Sequence, residues 1–129
     1  ESYNHVPLMM YGKGITPQAI NDFGGQIDVA PTLLGMLGIN YTQNNFGVDL
    51  LKEKRPCIFY TADNLIAARD SSQLYIHSPE TGQEFCYSLE GGTLKPSTYD
   101  KSFEALKTYV FPMLQATEQL VKEGKTVNK

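Results

Sequence analysis

The sequence has no tryptophan, and only two cysteines and two histidines among its 129 residues. Two cysteines cannot build the disulfide framework that staples small secreted domains. Two histidines exclude a three-histidine metal site within the chain. No apolar run approaches the ~18 residues that a membrane span needs, and no charged start leading into an apolar stretch marks a signal peptide. Charge is scarce and nearly balanced, 11 Lys and Arg against 14 Asp and Glu, for a formal net charge of -3. The basic residues are scattered apart from Lys52, Lys54 and Arg55, so the basic stripe of a nucleic-acid binder is missing. Common catalytic signatures are missing too: no Gly-x-Ser-x-Gly elbow, no Gly-x-x-x-x-Gly-Lys phosphate loop, no Cys-x-x-Cys and no His-Glu-x-x-His.

What is there is enough apolar material for a modest core. The hydrophobic share is 41%, too high for a disordered chain of such small net charge. Val6-Pro7-Leu8-Met9-Met10-Tyr11 is a continuous apolar run closed by Gly12. Continuity rather than alternation predicts a strand buried on both faces, as in a parallel sheet covered by helices. A core strand this close to Glu1 reads as the start of a fragment, since termini are usually loose. After a Gly-, Pro- and Asn-containing loop, Asp28 is placed to cap a short helix, with Pro31 in its first turn and Gly38 at its stop. Val29, Leu33, Leu34, Met36 and Leu37 supply its apolar face.

Beyond Asn44-Asn45 the pattern changes. Short strands are expected at Cys57–Thr61, Leu65–Ala68, Leu74–His77 and Glu84–Leu89, with turns at Asp63-Asn64, Asp70-Ser71-Ser72 and Pro79–Gly82. So little chain between strands leaves no room for crossover helices and predicts a four-stranded antiparallel meander. Gly91-Gly92 then ends the sheet. A last helix runs from about Ser102 to Glu123, capped by Asp100 or Ser102, with an apolar stripe from Phe103 to Val121. Pro112 removes one backbone bond there and is expected to kink or split it.

Few residues suggest chemistry. His5 sits at the mouth of the first predicted strand, where α/β enzymes place functional groups, although a capping or surface histidine is the simpler reading of the residue itself. His77 reads as an exposed strand-end residue without a role. Asp28 reads as a helix cap rather than a carboxylate ligand, and Asp49 as structural. Cys57 and Cys86 fall in separate predicted strands, and two small buried thiols are the simpler reading than a bridge. The 8 tyrosines fill a core with polar tips at its edge, an exposed aromatic platform for sugar being the alternative. Asn40-Tyr41-Thr42 has the form of a glycosylation sequon.

Three segments in order carry a family resemblance: His5–Gly12, Gly25–Leu34 (Gly-Gln-Ile-Asp-Val-Ala-Pro-Thr-Leu-Leu) and Phe46–Leu51 (Phe-Gly-Val-Asp-Leu-Leu). Together they resemble the C-terminal part of sulfatase-like enzymes of the alkaline phosphatase superfamily, above all the lipoteichoic acid synthase and phosphoglycerol transferase branch. The likeness spans roughly residues 5 to 90. It implies an α/β fragment, the end of an alkaline-phosphatase-like sandwich over residues 1–51. A small α+β unit over 52–129 would follow, with a four-stranded antiparallel sheet and a C-terminal helix.

Such enzymes use a Thr or Ser nucleophile, or formylglycine, on a divalent metal (zinc or manganese) held by acidic residues and an Asp-His pair. By the resemblance all of these precede Glu1, so no catalytic or metal-binding residue is assigned here, and His5 is carried as a substrate or active-site contact. The implied partners are the catalytic region of the same polypeptide and a phosphate or sulfate ester. The implied location is the outer face of a bacterial cytoplasmic membrane, reached through helices that precede this chain. The competing expectation is a self-standing α+β binding module without catalysis.

Overall fold

The computed structural model describes residues 6–125. Five strands form one open antiparallel sheet in the order β1-β2-β3-β4-β5: β1 Ile58–Ala62, β2 Leu65–Arg69, β3 Gln73–His77, β4 Glu84–Glu90 and β5 Thr93–Ser97. A 3-10 turn at Gln26–Asp28 leads into α1, Val29–Met36; a second at Lys101–Phe103 leads into α2, Glu104–Lys122.

Each hairpin follows from its turn residues. Asp63 and Asn64 both take positive φ, 50° and 61°, the pairing that matches the right-handed twist of β1 and β2 and that short polar side chains tolerate. Gly91 and Gly92 do the same between β4 and β5, at φ 57° and 81°. The double glycine therefore turns the chain instead of ending the sheet, and the expected four strands become five. Pro96 is accommodated because β5 is the edge strand, where a missing N–H breaks no second ladder.

The register builds the core. Phe59, Ala68, Tyr75 and Cys86 are successive partners across four strands and therefore share one face. Against that face the 3-10 turn lays Phe103 and α2 lays Leu106 and Val110, all sealed from solvent, with Tyr109, Phe111 and Leu114 beside them. Asp100 accepts the Ser102 amide at 2.7 Å and starts this helix as expected. The helix is continuous through Pro112 and is not split. Val121, expected to be buried, is exposed, so the stripe stops short of the helix end. The buried core cluster runs only from Cys57 to Val110. Both cysteines belong to it as free thiols, Cys57 just before β1 and Cys86 in β4, strands that are not sheet neighbours.

The N-terminal part differs from expectation. Residues 6–12 form no strand. A strand buried on both faces needs flanking strands and covering helices, and no described strand pairs with this one. Val6, Leu8, Met9 and Tyr11 are exposed instead, Met9 by 86%. The face expected to bury α1 is also open: Leu33, Met36 and Leu37 are all exposed, Leu37 by 70%.

Candidate functional site

Asp28 is the organising residue of the N-terminal segment. Its carboxylate is wholly buried and accepts the Gly25 amide at 2.8 Å, the Val48 amide at 2.9 Å and Arg55 Nη2 at 2.5 Å. None of these donors is a first-turn amide of α1, so the capping role expected from sequence is corrected. Asp28 ends the 3-10 turn and ties it to two distant segments. Arg55 Nη2 also donates to the Phe46 carbonyl. Four residues further on, the Thr32 hydroxyl donates to the Asp28 carbonyl at 2.6 Å and accepts the Leu50 amide at 3.0 Å. These bonds lash α1 to the 46–55 segment that feeds β1. A carboxylate already holding three donors has little capacity left for a metal ion. Asp49 is structural as expected, accepting the Leu51 amide and pairing with Lys52 at 3.0 Å.

A second polar cluster lies at the sheet–helix seam. The buried Tyr75 hydroxyl donates to Glu84 Oε1 at 2.8 Å, and Lys107 Nζ reaches the same oxygen at 2.7 Å. Burial, followed by the Glu84 carboxylate, pushes the Tyr75 phenol up. The Lys107 and Tyr75 hydrogen bonds hold Glu84 below the ordinary carboxylate value, and Glu84 in turn raises Lys107. All three groups satisfy one another, which makes this a structural seam rather than a reactive site. Beside it His77 is half-buried rather than exposed, its ring 5.3 Å from that of Phe111 in an edge-on arrangement.

His5 lies outside the described residues. Among those residues there is no group of three or more His, Cys, Asp or Glu that could hold a metal ion, and no helix is long and apolar enough to cross a membrane. The sequence did not single out Arg55 as a partner of Asp28; only its place beside two lysines was noticed. A buried arginine far along the chain leaves no local signal.

A half-open surface concavity of about 190 Å3 is lined by Ala30, Pro31 and Leu34 of α1 and by Tyr41, Thr42, Gln43, Asn44 and Asn45 of the following loop. The loop is self-braced. The Tyr41 hydroxyl donates to Gln43 Oε1 at 3.0 Å, Gln43 Nε2 donates to the Asn45 and Gly47 carbonyls, and the Gly47 amide donates to Asn45 Oδ1 at 2.8 Å. Only glycine fits at position 47, because a Cβ there would lie 2.2 Å from the Ile27 carbonyl oxygen.

No protein-family profile matches the chain. Over 91 residues, 67% of its length, it is 34% identical to a lipoteichoic acid synthase-like protein, YvgJ, of Bacillus subtilis strain 168. It is also similar in fold to a crystal structure of an alkaline phosphatase superfamily protein from Vibrio parahaemolyticus. That likeness has a TM-score of 0.70 and 21% identity over 92% of this chain. The chain spans 14% of the first protein's length and 29% of the second's.

Proposed function

This chain is a sulfatase-like part of the alkaline phosphatase superfamily, related to lipoteichoic acid synthase-like proteins, and we propose that it forms the C-terminal region of a larger bacterial metalloenzyme. That enzyme would be a phosphoglycerol transferase or a hydrolase of phosphoric or sulfuric esters. The observation that carries the reading is the exposed apolar surface of residues 6–20 and α1. Val6, Leu8, Met9, Tyr11, Leu33 and Leu37 lie open to solvent in a chain whose own core is complete without them. So many large apolar side chains left open in one part of a chain support a surface that another body covers. In the whole enzyme the run Val6–Tyr11 would complete a large sheet, and α1 would cover it. The Asp28–Arg55 tie would then hold both at a fixed place relative to the small sheet.

The described residues do not fit a catalytic metal. The buried carboxylate of Asp28 is committed to three donors, and no metal-binding cluster lies among the described residues. In this proposal the zinc or manganese ion, its acidic and histidine ligands and the nucleophile belong to preceding residues of the polypeptide. Membrane attachment on the outer face of the cell would come from there too. Among this chain's residues His5 remains the proposed contact to substrate or active site.

The purified chain tests this directly. With zinc or manganese added, it is expected to turn over neither an aryl phosphate diester nor an aryl sulfate. Turnover that disappears on chelation and on His5→Ala would overturn the assignment of catalysis to preceding residues.

A further inference from the structure

We propose that the face of the sheet turned away from α2 is a docking face for the region of the same polypeptide that precedes this chain. The proposal rests on the larger enzyme inferred above and adds where its body meets the small sheet. The strands β4 and β5 invert the usual alternation. Their residues on the α2 side, the side of Tyr75 and Cys86, are Glu84, Ser88, Glu90, Thr93, Lys95 and Ser97, with Cys86 as the one apolar member. The opposite side carries Phe85, Tyr87, Leu89, Leu94 and Pro96. An antiparallel sheet with one covered face turns its apolar side chains toward the cover and its polar ones toward water. In β4 and β5 the polar side chains share the helix side, so the cover these strands are patterned for lies on the other side.

The register makes the apolar residues one patch. Tyr87 faces Pro96 and Leu89 faces Leu94 across β4 and β5, and Phe85 faces Ile76 of β3. Phe85 is 40% exposed and Pro96 is exposed, while Ile76, Tyr87, Leu89 and Leu94 are half-buried. Single exposed apolar residues are ordinary, but a contiguous patch marks a surface for another body. Two neighbours on the same face point to the occupant. Arg69 and Ile58 share this side of β2 and β1. The Arg69 guanidinium lies 6.0 Å from the centre of the Phe23 ring. Ile58 comes so close to Gly25 that a Cβ there would lie 3.0 Å from its Cγ2. The N-terminal part of the chain therefore meets the sheet on this side, at its β1–β2 end, and the β3–β5 patch continues the same surface. The solved relative indicates how much could cover it. This chain matches that fold over 92% of its own length yet spans 29% of that chain, so most of that protein lies outside the matched part.

Hydroxyl-radical footprinting of the 129-residue chain and of the longer polypeptide that includes its preceding residues tests this. Phe85, Tyr87, Leu89 and Leu94 are expected to be oxidised in the 129-residue chain and to lose most of that reactivity in the longer one. Tyr99, 41% exposed and stacked on Phe103 in the helix layer, is the reference expected to react equally in both. Met9, 86% exposed, reads the larger body independently of the patch. Protection of Met9 with the patch still reactive would overturn the docking face and leave the larger enzyme standing. No protection at either, or a reading frame without a preceding region, would overturn both. Protection of the patch in the 129-residue chain that rises with its own concentration would make a second copy the occupant and overturn the assignment. Phe85→Gln with Leu89→Gln gives a second readout. The pair is expected to leave the unfolding midpoint of the 129-residue chain nearly unchanged and to lower that of the longer polypeptide. An equal loss in both would place these residues in this chain's own core and overturn the proposal.

Discussion

Arg55 closes the buried nest around Asp28 from 27 positions away in sequence, with its Nη2 2.5 Å from Asp28 Oδ1 and 5% of its side chain exposed against 0% for Asp28. The pair decides how the exposed N-terminal layer is held to the sheet. A buried carboxylate with its counter-charge removed is strongly unfavourable, whereas replacing both partners together is far milder. Arg55→Met is therefore expected to cost about 3–5 kcal/mol, and Asp28→Asn combined with Arg55→Met to recover part of it. Urea unfolding of the single and double variants measures this. Hydrogen exchange adds a local readout, with the Gly25 and Val48 amides, both donors to Asp28, released first.

The sheet–helix core should respond to truncation and the helix end should not. Leu106 is 2% exposed, whereas Val121 is 62% exposed. Leu106→Ala is expected to cost about 2–5 kcal/mol through lost burial and a residual cavity. Val121→Ala should stay within about 0.5 kcal/mol. Chemical denaturation of both variants checks the contrast.

Stability should be flat near neutrality and fall at both extremes. Glu84 is held below its ordinary value of 4.5, chiefly by the Lys107 hydrogen bond and then by Tyr75. Its contribution is present above that ordinary value and is lost as pH falls through the lower folded-state value, because the unfolded chain then binds the proton more readily. The phenols act in the opposite direction. The hydrogen bond to Glu104 pushes Tyr99 up to about 12 from 10.0, and burial raises Tyr75. Their contribution is complete below 10.0 and disappears as pH rises through the raised values. Lys107→Gln should flatten the acid limb and leave most of the alkaline limb in place, as read from thermal unfolding across pH.

Cys57 and Cys86 should titrate as two free thiols. Both are buried, Cys57 just before β1 and Cys86 in β4, strands that do not pair, and burial raises each thiol above its ordinary value. Both the thiolate and access to it are therefore scarce in the folded chain. A thiol-reactive reagent is expected to label neither quickly under native conditions and both in denaturant. Rapid native labelling, or an intact bridge in the oxidised mass, would contradict the core packing.

The parts of the fold legible in the sequence are those set by neighbouring residues. Asp63-Asn64, Asp70-Ser71-Ser72 and Pro79–Gly82 announce three hairpin turns, and the strands around them lie within one or two residues of where periodicity puts them. Asp100 announces the start of the last helix layer. Gly91-Gly92 is a failure of a local reading, since two glycines at positive φ close a two-residue hairpin between β4 and β5 rather than mark a boundary. Other failures are cases where a distant group decides. Asp28 looks like a cap until Arg55 and Val48 arrive from further along the chain. The apolar run Val6–Tyr11 has the composition of a buried strand, but a strand exists only with ladder partners, and none is supplied by the described residues. The surface concavity was hidden for the same reason. Residues 41–45 read as loop, and only the position of α1 beside them forms it.

The central claim is that this chain is the C-terminal region of a larger sulfatase-like enzyme whose reacting groups precede it. Reading the coding sequence upstream of Glu1 tests it most directly. The account predicts an in-frame Asp-His pair within a few tens of codons, with a Thr, Ser or Cys nucleophile and apolar helices further back. A start codon directly ahead of Glu1, or an upstream reading frame with neither the pair nor a nucleophile, would contradict it and leave a self-standing binding module.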